Sequence, residues 1–411
     1  MVRLNKLFFS RAYKYLARLR VLYPHQWLCH VLSIIILLIS RLIRPLVVLR
    51  FGVIDGTRFG HLTLVPDFYL TQKKRGEVPG RGFDWFYISG NPCNKFFAKK
   101  CEQYLNVSEL AAYCYGNNKF VPLSRYHHVA SIEDAEFYCD KRFMANLLDF
   151  EQNISLNEGE RGAVEAFLRE RNVTLPEKYI CFFNRDRRYL KVVGVESVNS
   201  VRHDYRNSSI GNYIPAMRKM YRKGIHCIRL GVDVEVPIEN ENGIIDCSDK
   251  FDNEALEFYL IEKAKFIVGT TSGLAAACKV FRKSMAYVNV SPLVTLRLVP
   301  KGNDLFIPKK YWSRAHERFL RFREIIEGGL GEIYSTEEFN ELGIDIMENS
   351  EDEITGLVEE MELRVSNEWV TSEREVFLRE KFYKILAPLD IRPNDMPAIG
   401  TSFLIDNEDL L

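Results

Sequence analysis

The stretch Phe266-Ile267-Val268-Gly269-Thr270-Thr271-Ser272-Gly273-Leu274-Ala275-Ala276-Ala277-Cys278 decides the fold. Its opening apolar residues, two of them β-branched, read as a buried strand, and the small apolar residues from Leu274 onward read as a helix. Between them lies a loop of two glycines and three hydroxyl residues. The amides of such a loop point into the positive end of the helix, which suits an anionic phosphate. Glycine lets the backbone approach a ligand closely, and the side chains of Thr270, Thr271 and Ser272 add hydrogen-bond donors. A hydroxyl-rich N-cap turn without a ligand would satisfy the same pattern.

Working outward, the strand–loop–helix alternation repeats. Strands are predicted at 179–183, 226–230, 244–247 and 285–288, and helices at 211–222, 253–263 and 274–280. Nearer the N-terminus, strands are predicted at 46–49 and 83–88, and helices at 62–72, 95–105 and 160–171. Alternation of this kind makes parallel sheets covered by helices on both faces. The expectation is an α/β chain with two Rossmann-like, doubly wound domains, 45–172 and 173–330, facing each other across a cleft at the carboxyl ends of their strands.

Ligands of open α/β sheets collect at those ends. There the sequence sets Asn184-Arg185-Asp186-Arg187-Arg188, then His203-Asp204-Tyr205-Arg206-Asn207 just before a helix. An arginine so placed grips a diphosphate through two parallel bonds. Asp204 either orients Arg206 or acts as a base, and a self-bonded loop capping the helix is the structural alternative. In the first domain Gly60-His61 follows the opening strand, so an imidazole near its ordinary pKa of about 6.5 faces the cleft and can accept a hydroxyl proton. Arg58 beside it can hold an anion. Walker A, GxGxxG, GxSxG and HExxH patterns are missing, which removes the usual support for nucleotide hydrolysis, NAD chemistry, serine hydrolysis and zinc proteolysis. Group transfer from an anionic donor remains.

The chain has 411 residues and a net charge of +1, yet residues 1–54 carry nine Lys/Arg and no acid, so the remainder is at 1 − 9 = −8. A nucleic-acid-binding body needs its positive surface on the domain itself, which this distribution excludes. Residues 3–20 place Leu4, Phe8, Ala12 and Leu16 on one helical arc and Arg3, Lys6, Arg11 and Lys14 on the other. Uncharged residues follow from 21 to 40, with about 13 clearly apolar ones after Pro24, His25 and Gln26, nearer the length of an interfacial segment than of a full crossing. Residues 1–44 are therefore expected to attach to an anionic membrane surface, at the cytoplasmic face of the inner membrane, with a bilayer span or a buried core helix over 21–40 as the alternatives. Nine cysteines without zinc spacing fit a reduced compartment and buried thiols. Residues 331–365 hold twelve acids and one base, Arg364, so 331–411 is expected as a solvated helical appendage.

Taken together, His203-Asp204-Tyr205-Arg206-Asn207, Asn184-Arg185-Asp186, Ile228-Arg229-Leu230-Gly231 and the Phe266–Leu274 stretch resemble a family of bacterial glycosyltransferases found with capsule and lipopolysaccharide synthesis genes. The likeness covers about 175–295, and more loosely Arg58-Phe59-Gly60-His61-Leu62 and Ser402-Phe403-Leu404. It implies a GT-B fold with the nucleotide sugar in the C-terminal domain, the acceptor toward the N-terminal one, and no obligatory metal or other cofactor. Carried onto this chain, it assigns donor binding to Arg185, Arg206, Asn207, Arg229, Thr270, Thr271, Ser272 and Gly273, with His61 and then Asp204 as candidate bases. One departure is Phe182-Phe183-Asn184, where the resemblance calls for a histidine-containing strand end. The implied activity is hexosyl-type transfer to a hydroxyl of a glycan or lipid-linked glycan. A sugar-nucleotide epimerase or hydrolase on the same fold, and a non-catalytic glycan-assembly subunit, are the alternatives.

Overall fold

The computed structural model describes residues 24–78, 80–129, 151–188, 202–248, 253–299, 302–391 and 396–411. The chain forms two compact units, one of Met1–Arg58 with Gln72–Asp134, the other of Phe59–Thr71 with Ala135–Leu411. The expected amphipathic helix over 3–20 lies outside the described residues.

The first unit opens with helix α1 (Pro24–Leu42) and strand β1 (Val48–Asp55). Helix α2 (Phe59–Lys74) follows and gives most of its length to the second unit. Strand β2 (Gly82–Ser89) then returns to pair in parallel with β1, from Val48↔Gly82 to Asp55↔Ser89. Helices α3 (Lys95–Tyr104) and α4 (Glu109–Asn118) complete the unit, α3 starting where the Asn94 side chain accepts the Phe97 N–H at 2.7 Å. β1 is twice the predicted length. A parallel strand covered on both faces has no need of polar alternation, so Phe51, Val53 and Ile54 all bury, and Arg50 is neutralised by Asp84 directly opposite. Among the described residues β1 and β2 are this unit's only strands, and these residues hold one doubly wound sheet.

That one is in the second unit. After α5 (Glu158–Glu170), begun by a capping box between Asn157 and Glu160, come β3 (Tyr179–Phe182), α6 (Ile214–Arg222), β4 (His226–Arg229) and β5 (Ile244–Asp246). Next are α7 (Leu256–Lys263), β6 (Ile267–Gly269), α8 (Gly273–Val280), β7 (Met285–Val290) and β8 (Leu305–Pro308). A small antiparallel sheet orders as β10 (Arg318–Phe319), β9 (Lys310–Ser313), β11 (Ile344–Met347). Helices α9 (Glu351–Val365) and α10 (Glu373–Leu386), strand β12 (Ala398–Ile399) and helix α11 (Thr401–Asp406) finish the chain. The large sheet is parallel throughout, in the order β12-β8-β7-β6-β3-β4-β5. Winding runs from β3 outward to β5, then restarts at β6 on the other side of β3. The β3–β6 boundary is thus the topological switch point, where open α/β sheets take their ligands.

The expectation for 331–411 is corrected. β12 is an edge strand of the large sheet, and α9 buries Ile354, Leu357, Val358 and Met361. Two of the acids that promised solvent exposure are inside. Glu360 accepts from the Thr401 N–H at 2.6 Å and pairs with Arg364 and Arg379, and Glu353 pairs with Lys310 at 2.6 Å. The arginines that neutralise α9 lie partly on α10, which a count of charges by segment does not reveal.

Candidate functional site

Both loops at the switch point carry candidate residues. The chain leaves β3 at Phe183 and passes to Asn184 and Arg185. From β6 it passes through Gly269 to Thr270, Thr271 and Ser272, which is the N-cap of α8 but makes no side-chain capping bond. Gly269 is required by contact: a Cβ there would come 2.4 Å from the Phe183 ring, so the ring lies directly beneath the loop.

The Arg185 guanidinium donates to the His203 carbonyl at 3.1 Å and to the Asn207 side-chain oxygen. Its own carbonyl accepts the Ser208 N–H at 2.9 Å, and Asn184 donates to the Ser208 carbonyl at 2.7 Å. The segment from His203 to Ser208 is thereby folded onto the end of β3. Arg206 reaches the other loop and donates to the Thr271 carbonyl at 2.5 Å. Among the described residues no carboxylate lies within ion-pair distance of Arg185 or Arg206, and neutral oxygens hold both. Burial, with Arg206 adjacent, pushes Arg185 down to about 10; burial likewise lowers Arg206. Two desolvated cations with no carboxylate at ion-pair distance among the described residues favour an incoming anion, although Asp204 and Asp186 offset part of the lowering at Arg185.

Further polar atoms are left over. The Thr270 hydroxyl and the Arg206 Nε are buried without partners. Buried orphans of this kind are uncommon in folded proteins and call for an explanation, such as a ligand.

His61 is half-buried in the first turn of α2. A Cβ on Gly60 would lie 3.2 Å from the Gly273 Cα, and one on Gly273 would lie 3.0 Å from the Gly60 nitrogen. The positive ends of α2 and α8 therefore meet with no room for side chains, and His61 sits at that junction. The ring of Phe59 stacks on that of Phe258 at 5.6 Å, and Asp67 farther along α2 pairs with Arg282 at 2.7 Å just beyond α8, so the approach is fixed at two places.

Two candidates have other employment. Asp204 pairs with Arg187 at 2.6 Å and accepts from Asn207 at 2.9 Å, which makes it an orienting group of its own loop. Arg229, expected at the donor, is instead fully buried: it pairs with Asp246 at 3.6 Å and donates to the Val236 carbonyl and to Asn184. Asn207 is a strut, its side chain held between Arg185 and Asp204. Arg58 belongs to the first unit, largely exposed and 3.9 Å from Asp55.

Sequence reasoning missed Lys309. It directly follows β8, is almost wholly buried, and donates to the Asn207 carbonyl at 2.5 Å. The signal was a lysine directly after the apolar run Leu305-Phe306-Ile307-Pro308, but that run was not read as a strand. Burial pushes the Lys309 ammonium down to about 8, with Arg185 nearby acting in the same sense and Glu348 against it. Because folding lowers this pKa, the unfolded chain holds the proton more tightly between about pH 8 and the ordinary lysine value. Its contribution to stability therefore rises as pH climbs through that window. Its attraction for an anion runs the opposite way. Pyrophosphate binding, followed by calorimetry, is expected to weaken as pH rises past about 8, and Lys309→Met to flatten that dependence.

No family model matches the chain, and no curated protein matches it. Solved structures that resemble it include the Escherichia coli ADP-heptose lipopolysaccharide heptosyltransferase II, at 13% identity over 59% of this chain and 86% of that one, with a TM-score of 0.35. A glycosyl transferase family 9 protein from Veillonella parvula is similar at 11% identity over 78% and 98%, TM-score 0.44. The E. coli heptosyltransferase WaaC with ADP is similar at 11% identity over 71% and 98%, TM-score 0.30.

Proposed function

We propose that this chain is a glycosyltransferase of GT-B type that moves a sugar from a nucleotide-sugar donor to a hydroxyl of a lipopolysaccharide or capsule intermediate without a metal ion. The observation that carries the reading is the pair of buried arginines held by neutral oxygens at the switch point, with no carboxylate at ion-pair distance among the described residues, set against the orphaned Thr270 hydroxyl and the start of α8. In this reading the donor diphosphate lies between Arg185, Arg206 and the 270–273 amides. The bond between the sugar's anomeric carbon and the diphosphate oxygen breaks, and its electrons leave with the diphosphate. Donors already oriented toward that oxygen stabilise the charge with little reorganisation. The acceptor hydroxyl oxygen bonds to the anomeric carbon, and His61 takes its proton.

The test is a panel of nucleotide sugars offered to the full chain, with nucleoside diphosphate release and glycan product both measured, in EDTA throughout. A matching donor at 100 times its Kd adds about 2.7 kcal/mol, a readily visible shift in Tm. Transfer that persists in EDTA and requires an acceptor is expected. An epimerised or hydrolysed sugar from donor alone, or the absence of any Tm shift with nucleoside diphosphates, would overturn the reading.

A further inference from the structure

Helix α1 leaves a broad apolar face exposed. A helix packed on a water-soluble body normally buries its apolar stripe and shows its polar one. Here the stripe against α4 is mixed: Leu37 is fully buried with Ile34 and Ile36 packed beside it, but Ser33 and Ser40 are fully buried as well, and Asn117 donates to Ser33 at 2.7 Å and lies 3.1 Å from His30. About half a turn away, Leu28, Val31, Ile35, Leu38 and Leu42 recur at three- and four-residue spacing and are all exposed, Leu42 by 81%. Leu46 continues the stripe past the helix at 76%. The surroundings are cationic, with Arg41 and Arg44 at the end of α1, six further Lys/Arg before it, and no acid in the first 54 residues.

We infer that this face of the first unit lies in the surface of an anionic bilayer, with α1 parallel to the membrane plane. The partner follows from chemistry: an apolar stripe needs hydrocarbon, and its cationic border needs anionic headgroups. Trp27 and Tyr126, both half-exposed, suit the interfacial layer. The orientation follows from the fastening. At 19 residues α1 is long and apolar enough to cross a membrane. However, His30 meets the Tyr113 ring edge-on and, with Ser33, bonds to Asn117, while Arg41 bonds to Asn118 and, at 3.0 Å, to the Pro122 carbonyl, so the second half of α4 is fastened to α1. A crossing would carry the exposed Glu109 and Lys119 at the two ends of α4 into the membrane. The inference stands apart from the proposed transfer reaction.

The test is flotation of the full chain with vesicles of phosphatidylcholine alone or with 30% phosphatidylglycerol. Binding to the anionic vesicles is expected, weakened by salt, and reduced about tenfold or more in the double variant Ile35→Asn/Leu38→Asn. The unfolding midpoint should hold, because both residues are exposed. Nitroxides at positions 28, 35 and 42 should report one shared shallow depth. Failure to bind either vesicle, a self-association abolished by the same double variant in place of lipid binding, or a nitroxide at 35 in the bilayer centre with 28 and 42 at opposite faces would each overturn it.

Discussion

Arg206→Ala is expected to lower sugar transfer by about two to three orders of magnitude in kcat, the usual scale for losing a donor aimed at developing charge. The donor diphosphate would lose one of two buried cations, and the Thr271 carbonyl would lose the group that fixes the 270–273 loop. Arg206→Lys should restore little, since an ammonium cannot hold the carbonyl and a diphosphate oxygen with one planar fork. Stability should respond differently. Without ligand, both arginines sit in a poorly hydrated place: burial lowers both pKa values, and repulsion by the neighbouring Arg206 charge lowers that of Arg185 further. Removing one relieves that repulsion, so the Tm of the free protein should hold or rise while the stabilisation by a nucleoside diphosphate disappears. Steady-state kinetics and thermal denaturation on the same preparation separate the two effects. Full turnover in Arg206→Ala would refute the diphosphate cradle.

The largest stability effect is expected at Asp246→Ala. Asp246 and Arg229 are both fully buried, and the carboxylate also accepts from the Ile238 N–H at 2.8 Å and the Ser248 N–H at 2.9 Å. Removing it leaves a guanidinium in the sheet's interior without its counterion, at a cost of about 3–5 kcal/mol. The double variant Arg229→Met/Asp246→Leu removes both charges and should recover most of that loss, because the penalty comes from the unpaired ion more than from the missing attraction. Urea midpoints for the three proteins decide it. Equal destabilisation by the single and double changes would mean that packing, not charge, sets the cost.

Much of the second unit was legible because its signals are local. Apolar runs closed by glycine or polar residues marked β3, β4, β6 and β7. The hydroxyl loop before α8 was legible for the same reason. Arg229 was misplaced because sequence position puts it at a strand end like Arg185, and only the bond to Asp246 on the neighbouring strand turns it inward. Asp204 reads as a candidate base until Arg187, seventeen positions earlier, is found against it. The C-terminal segment was misread because twelve acids look solvated until arginines from α9 and α10 are brought beside Glu360 and Glu375.

By itself the sequence determined the alternation of strands and helices, the parallel character of the sheet, and which residue types gather at its carboxyl edge, since each follows from spacing and side-chain chemistry over a few residues. Tertiary structure alone decided which cations, among the described residues, have no carboxylate at ion-pair distance and which helix face stays uncovered. It also decided that Gly60 and Gly273, more than two hundred positions apart, come into contact. Those outcomes depend on what lies opposite a residue in space, and for a buried charge or an exposed leucine the opposite group sets the free energy.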